Sequence, residues 1–159
     1  MDSLVRELRG GEEDATWRQL AFIRQPLPGR LCACVRERPQ VRFFLVGEGP
    51  LLPDLEAQAR ALNLGDRFVF AGFRRDVAAT LSAFDLSVFP SLWEGTPLTV
   101  FEALAMGKTI LATDADGLVD VLTSEHDAVI VAKRDAPALA AGIVRLMDDP
   151  DERARLGTQ

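Results

Sequence analysis

At 159 residues the chain has the length of one domain, with enough material for a sizeable buried core. A net charge of −6 argues against a nucleic-acid surface, which is normally basic. No run approaches the roughly eighteen apolar residues of a membrane span, and Asp2, Arg6, Glu7 and Arg9 leave no apolar core for a signal peptide.

Residues 1–15, with Gly10-Gly11-Glu12-Glu13-Asp14, read as a flexible charged lead-in, and residues 16–159 as the domain. Leu20–Ile23 is the first candidate strand, and a helix is expected from about Arg30 to Glu37. Cys32 and Cys34 are too few and too close for a disulfide framework. Reduced thiols and a cytoplasmic setting follow. Val41–Val46 is an apolar strand interrupted only by Arg42. Leu51, Leu55, Ala59 and Leu62 fall on one helical face, so a helix is expected over Asp54–Leu62. Asn63-Leu64-Gly65 closes it. Phe68–Phe70 is a strand, Val77–Phe84 a helix and Leu86–Phe89 a strand. A helix follows over Pro97–Met106, stopped by Gly107. Ile110–Thr113 is a strand, Gly117–Leu122 a short helix and Ala128–Val131 the last strand. Asp135 caps a helix over Ala136–Met147, and Asp149-Pro150 starts a final one.

Near-continuous apolar strands alternating with helices imply an α/β, Rossmann-like fold. About six parallel strands would be covered by helices on both faces. Ligands of such sheets bind at the carboxyl ends of the strands. Gly47-Glu48-Gly49 and Glu94–Thr99 both fall there.

The segment Glu94-Gly95-Thr96-Pro97-Leu98-Thr99-Val100-Phe101-Glu102 carries the chemistry. Thr96 suits an N-cap, and Pro97 suits the first helical position. The amides of Leu98 and Thr99 would then point out of a helix start, where the dipole favours an anion. Glu94 lies before this cradle and Glu102 nearly two turns inside the helix. A phosphate between two acceptors describes a nucleotide sugar.

These residues resemble the family 4 retaining glycosyltransferases, which have the two-domain GT-B fold. Their signature, Glu-Gly-x-Pro-Leu-x-x-x-Glu-Ala-x-Ala-x-Gly, appears as Glu94–Leu98 followed by Glu102–Gly107. Val46–Leu51 resembles the family's glycine loop, Arg67–Phe73 its next strand and turn, and Phe84–Ser91 the strand before the motif. Residues 40 to about 157 follow the pattern in order. The resemblance implies one half of a GT-B fold, the donor-binding C-terminal domain, with the acceptor domain absent. It implies a sugar moved from a nucleoside diphosphate to an acceptor hydroxyl with retention, with no cofactor and no metal required. Glu94 would bond the donor sugar near the reacting carbon, and Glu102 both ribose hydroxyls. Arg24, after the first strand, matches an arginine that holds the pyrophosphate. Gly47 and Gly49 serve a tight turn or a close backbone approach. Arg74 borders the base or is a surface arginine. The acceptor, a saccharide, lipid or small molecule, would bind the absent half, so the chain alone would not catalyse transfer.

The chain departs from the family in several places. No lysine precedes Lys108, so the second pyrophosphate cation is missing, and Arg30 is the candidate substitute. Asp116 replaces a glycine and Asp120 a glutamate. Asp114-Ala115-Asp116 matches a metal-binding pattern of a different glycosyltransferase class. His126 is the sole histidine and makes no zinc site. Neither a Gly-x-Ser-x-Gly elbow nor a complete dinucleotide fingerprint is present. These departures keep open a non-catalytic nucleotide-sugar-binding or interaction module. A sugar-nucleotide epimerase is disfavoured by the single histidine. Leu92, Trp93, Leu98 and Leu118 are expected to leave an apolar patch, and with it a weak homodimer.

Overall fold

The computed structural model describes residues 18–22, 38 and 40–158. One six-stranded sheet contains β1 (Arg18–Phe22), β2 (Val41–Val46), β3 (Phe68–Gly72), β4 (Leu86–Phe89), β5 (Ile110–Thr113) and β6 (Ala128–Val131). The strand order is β3-β2-β1-β4-β5-β6, and every neighbouring pair is parallel. The connections carry α1 (Leu52–Ala61), α2 (Val77–Ser82) and α3 (Leu98–Ala105), and α4 (Ala136–Asp148) and α5 (Pro150–Gly157) follow β6.

Parallel strands need long crossovers, and the crossovers cover both faces of the sheet. Neighbouring residues on a strand therefore enter different cores. Phe43, Leu86, Val88 and Leu111 pack with α1, α4 and α5. Phe44, Phe89, Ile110 and Ala112 pack with α2, α3 and the segment Ala115–Leu122. Burial on both sides explains why β4 and β5 are entirely buried and lack polar alternation. Leu86, Ile110 and Leu111 are fully enclosed, and each contributes about 1.5–3 kcal/mol relative to exposure.

Helix starts follow the expected side chains at the carboxyl end of the chain. Asp135 Oδ1 accepts from the Ala138 N–H and Asp149 Oδ1 from the Glu152 N–H, both at 2.8 Å. Residues 117–122 differ from expectation. They form hydrogen-bonded turns rather than a helix, with Leu118 and Val119 N–H groups both bonded to the Ala115 carbonyl. Gly117 sits at φ +84°, which breaks right-handed helical geometry where the helix would begin.

No helix among the described residues is long and apolar enough to cross a membrane. The expected lead-in over 1–15, the helix from Arg30 to Glu37, and Arg24 lie outside the described residues.

Candidate active site

The strand order reverses between β1 and β4. The chain leaves these two strands in diverging directions, which opens a crevice at their carboxyl ends. A cleft of about 640 Å³ lies on this side of the sheet. It is lined by the loop after β2 (Gly47–Leu51), by Phe73 and Arg74 after β3, by α2, and by Glu94 and Thr96–Val100. Of the residues singled out in the sequence, Glu94, Thr96, Leu98, Thr99, Gly47, Gly49 and Arg74 thus meet in one cavity.

Glu94 is half-buried and firmly held. Its N–H donates to the Asp116 carbonyl at 3.0 Å. Its Oε1 accepts from Ser91 Oγ at 2.5 Å. The Ser91 carbonyl in turn accepts from Thr113 Oγ1 at 2.5 Å, and both residues are buried. Gly117 packs directly on the Glu94 backbone. A Cβ there would lie 2.3 Å from the Glu94 oxygen and 3.0 Å from that of Gly95. The loop after β5 therefore clamps the carboxylate loop after β4. Sequence reading missed this role for Ser91, Thr113 and Gly117. Ser91 and Gly117 carry the only local signals, a serine after Phe-Pro and a glycine after Asp-x-Asp, and neither points to the other.

The helix start is built differently from the expected cap. Pro97, not Thr96, occupies the cap position, and no side chain caps α3. Pro97 has φ −80° and ψ 70°, an inverse γ-turn, and the Leu98 N–H donates to the Thr96 carbonyl at 2.9 Å. The Leu98 amide is thus consumed. The N–H groups of Gly95, Thr96 and Thr99 bond to no described residue, and Thr96 and Thr99 line the same cleft wall. An anion here would meet loop amides as well as a helix end.

Opposite them, Gly47 has φ +123° and its N–H donates to the Gly72 carbonyl at 2.8 Å. A Cβ at Gly47 or Gly49 would meet nothing within 4 Å. Only Gly47 needs glycine for its backbone, and space beyond both is open. Arg74 makes a two-pronged contact to Asp76, Nε to Oδ1 and Nη2 to Oδ2, each at 3.1 Å. This guanidinium holds the Asp76 carboxyl below the usual carboxylate range. Glu102 is exposed and does not line the cleft. It lies one helical turn from the cleft-lining Leu98, on the same face of α3.

The Asp114-Ala115-Asp116 carboxylates are directed elsewhere. Asp114 Oδ1 accepts from the Lys133 N–H at 2.6 Å, and Asp116 Oδ1 is 3.7 Å from Lys133 Nζ. Among the described residues, no group of three or more His, Cys, Asp and Glu side chains could hold a metal ion. Asp116 has no positive φ, so an aspartate replaces the family's glycine without backbone strain. His126 is exposed in a turn, with Asp127 3.9 Å away.

The apolar rim differs in membership from the expected patch. Trp93 is 70% exposed, Leu98 67% and Phe73 63%, with Leu51 and Val119 also exposed. Leu118 is fully buried, because the turn after Ala115 folds it into the core under α3, and Leu92 is half-buried.

Residues 29–149 match the family described as glycosyl transferases group 1. The lipopolysaccharide core biosynthesis glycosyltransferase LpsD of Rhizobium meliloti is 37% identical over 135 residues, covering 85% of this chain and 39% of LpsD. The crystal structure of Anabaena Alr3699/HepE in complex with UDP and glucose superposes with a TM-score of 0.83 at 23% identity, over 99% of this chain and 46% of that one. The C-terminal domain of the group 1 family protein LpcC from Francisella tularensis gives a TM-score of 0.76 at 19% identity, over 92% of this chain and 88% of that domain. The chain spans well under half the length of the curated relatives it matches. The matched segment is more than half of the chain, and it brings the motif's first glutamate onto the switch-point cleft. This chain belongs to the glycosyl transferases group 1 family.

Proposed function

We propose that the chain is the donor-binding, C-terminal half of a retaining glycosyltransferase. The whole enzyme would move a sugar from a nucleoside diphosphate to an acceptor hydroxyl, keeping the anomeric configuration. The observation that carries this reading is the cleft wall itself: a fixed carboxylate, Glu94, beside unpaired amides of Thr96 and Thr99. Two relatives point the same way. The HepE structure is named as a complex with UDP and glucose, and LpsD as a glycosyltransferase.

The chemistry follows from the charge to be stabilised. As the glycosidic bond breaks, negative charge grows on the leaving pyrophosphate. Preorganised N–H groups aimed at that charge supply the largest catalytic contribution without any reorganisation during reaction. Arg24 would add a cation, and no metal is required. Glu94 would bind a hydroxyl of the donor sugar and position it rather than attack it. The acceptor would approach from the same face that the leaving group departs, with the leaving phosphate taking the acceptor's proton. The ribose would lie over the Leu98 edge of α3, where Glu102 offers two oxygens to the vicinal diol.

The acceptor wall would belong to a second domain, and the exposed Trp93, Leu98 and Phe73 would face it. The chain alone therefore catalyses no transfer, and its exposed rim favours weak self-association. The reading sets the reaction in the cytoplasm. Calorimetry with UDP and no added metal tests it. Binding is expected, and Glu102→Ala weakens it by about 1–3 kcal/mol through lost charged hydrogen bonds. Equal affinity of the variant and the parent removes Glu102 from the site. Absence of UDP binding by the parent overturns the reading.

A further inference from the structure

Ser91 lies two residues beyond β4 and is buried. Its hydroxyl donates to Glu94 Oε1 at 2.5 Å. Its backbone is fixed from the next strand, because Thr113 Oγ1 donates to the Ser91 carbonyl at 2.5 Å and reaches the Phe89 carbonyl at 3.4 Å. Glu94 Oε2 bonds to no described residue. One carboxylate oxygen is therefore tethered and the other is open, in a side chain that lines the cleft.

A glutamate in a loop otherwise samples many rotamers, and ordering it on binding costs conformational entropy. Here a hydrogen bond already holds one carboxylate oxygen. The Ser91 hydroxyl has one proton, and the short contact directs it to the carboxylate. The relay from Thr113 through Ser91 thus selects one placement of Glu94, with Oε2 left as the acceptor.

We propose that Ser91, held by Thr113, is a positioning residue that presents Glu94 Oε2 to a hydroxyl of the donor sugar. The proposal rests on the donor-binding reading above. It adds a distinct signature. Ser91 affects only ligands that carry a sugar beyond the pyrophosphate, because the nucleotide alone does not reach Glu94. It sets discrimination between sugar nucleotide and nucleotide, not nucleotide affinity.

The test compares UDP and UDP-glucose binding by calorimetry, on the full chain and on Ser91→Ala, Ser91→Thr and Thr113→Val. The parent binds UDP-glucose more tightly than UDP. In Ser91→Ala that preference falls about tenfold, the scale of one hydrogen bond to a charged group, while UDP affinity stays within about twofold. Ser91→Thr, which keeps the hydroxyl, retains the preference. Thr113→Val loses part of it, which gives an independent readout if Ser91→Ala does not fold. An unchanged preference in folded Ser91→Ala overturns the positioning role. So does a parent that binds the two probes equally, although the donor-binding reading then survives. A parent that binds neither probe overturns the donor-binding reading and, with it, this proposal.

Discussion

The loop after β4 and the loop after β2 face each other across one cleft, yet they are held in opposite ways. The β4 loop is tied by hydrogen bonds from Ser91 to Glu94, from Thr113 to Ser91 and from Glu94 to Asp116, and Gly117 packs on its backbone. The β2 loop is tied at its entry, where the Gly47 N–H meets the Gly72 carbonyl, and its glycines look into open space. A carboxylate that must meet a particular hydroxyl needs a fixed frame. A backbone that must let a large polyanion pass close by needs room. The difference is a division of labour between aiming and admitting.

The largest effect should come from breaking the clamp. Gly117→Ala puts a methyl 2.3 Å from the Glu94 oxygen at φ +84°. Strain and overlap together should destabilise the chain by roughly 3 kcal/mol or more, measured by urea unfolding. A loss below about 0.5 kcal/mol, the scatter of neutral surface changes, would mean that the loops are not clamped.

Removing the aimed group is next. Glu94→Ala should leave the fold intact but weaken UDP-glucose binding by about 1.5–3 kcal/mol, with UDP little affected. Equal losses for both ligands would assign Glu94 to the nucleoside instead of the sugar.

A control far from the cleft sharpens the contrast. Arg145 bonds Glu125 through Nη1 at 3.0 Å and Nη2 at 2.6 Å and also bonds Glu152, joining α4 to α5 and to the turn before β6. The pair is partly exposed, so Arg145→Met should cost only about 1 kcal/mol, with no change in UDP binding. Arg145 holds the Glu125 carboxyl below its ordinary value of 4.5. That stabilisation is therefore complete above pH 4.5 and is lost as pH falls through the lower, folded value. The variant should show a shallower acid slope in thermal melts. An unchanged slope would remove this pair as its source.

The smallest structural effect is expected on the admitting side. Gly49→Ala has free space and no positive φ, so stability should stay within about 0.5 kcal/mol. UDP binding should nevertheless weaken, because the new methyl enters the space the ligand uses. Unchanged affinity would place the ligand away from this loop.

Much of the frame was legible in the residues. β2, β4, β5 and β6 begin and end where their apolar runs do, because strands covered on both faces are built mostly of apolar residues, with Arg42 and Ser87 among the exceptions. The caps at Asp135 and Asp149 were legible because an aspartate before an Ala-Pro or Pro start satisfies local donors. The start of α3 was misplaced by one residue, since Pro97 closes an inverse γ-turn instead of entering the helix. The clamp was not legible. Gly117 and Glu94 meet only after β5 has docked beside β4, and nothing near either residue announces the other. Leu98 and Leu118 looked alike as leucines near expected helix starts, but packing under α3 buries Leu118 and leaves Leu98 at the rim.

The most direct test of the central claim is residue-resolved amide mapping by NMR, which a 17.4 kDa chain permits. UDP, titrated without added metal, should shift the amides of Gly47, Gly49, Gly95, Thr96 and Thr99, and the shifts should saturate together. The amides of Gly107 and Gly157, which touch each other away from the cleft lining, should stay still. Saturable shifts at Gly107 and Gly157 with silence at Gly95, Thr96 and Thr99 would contradict the account, as would no shift anywhere at millimolar UDP.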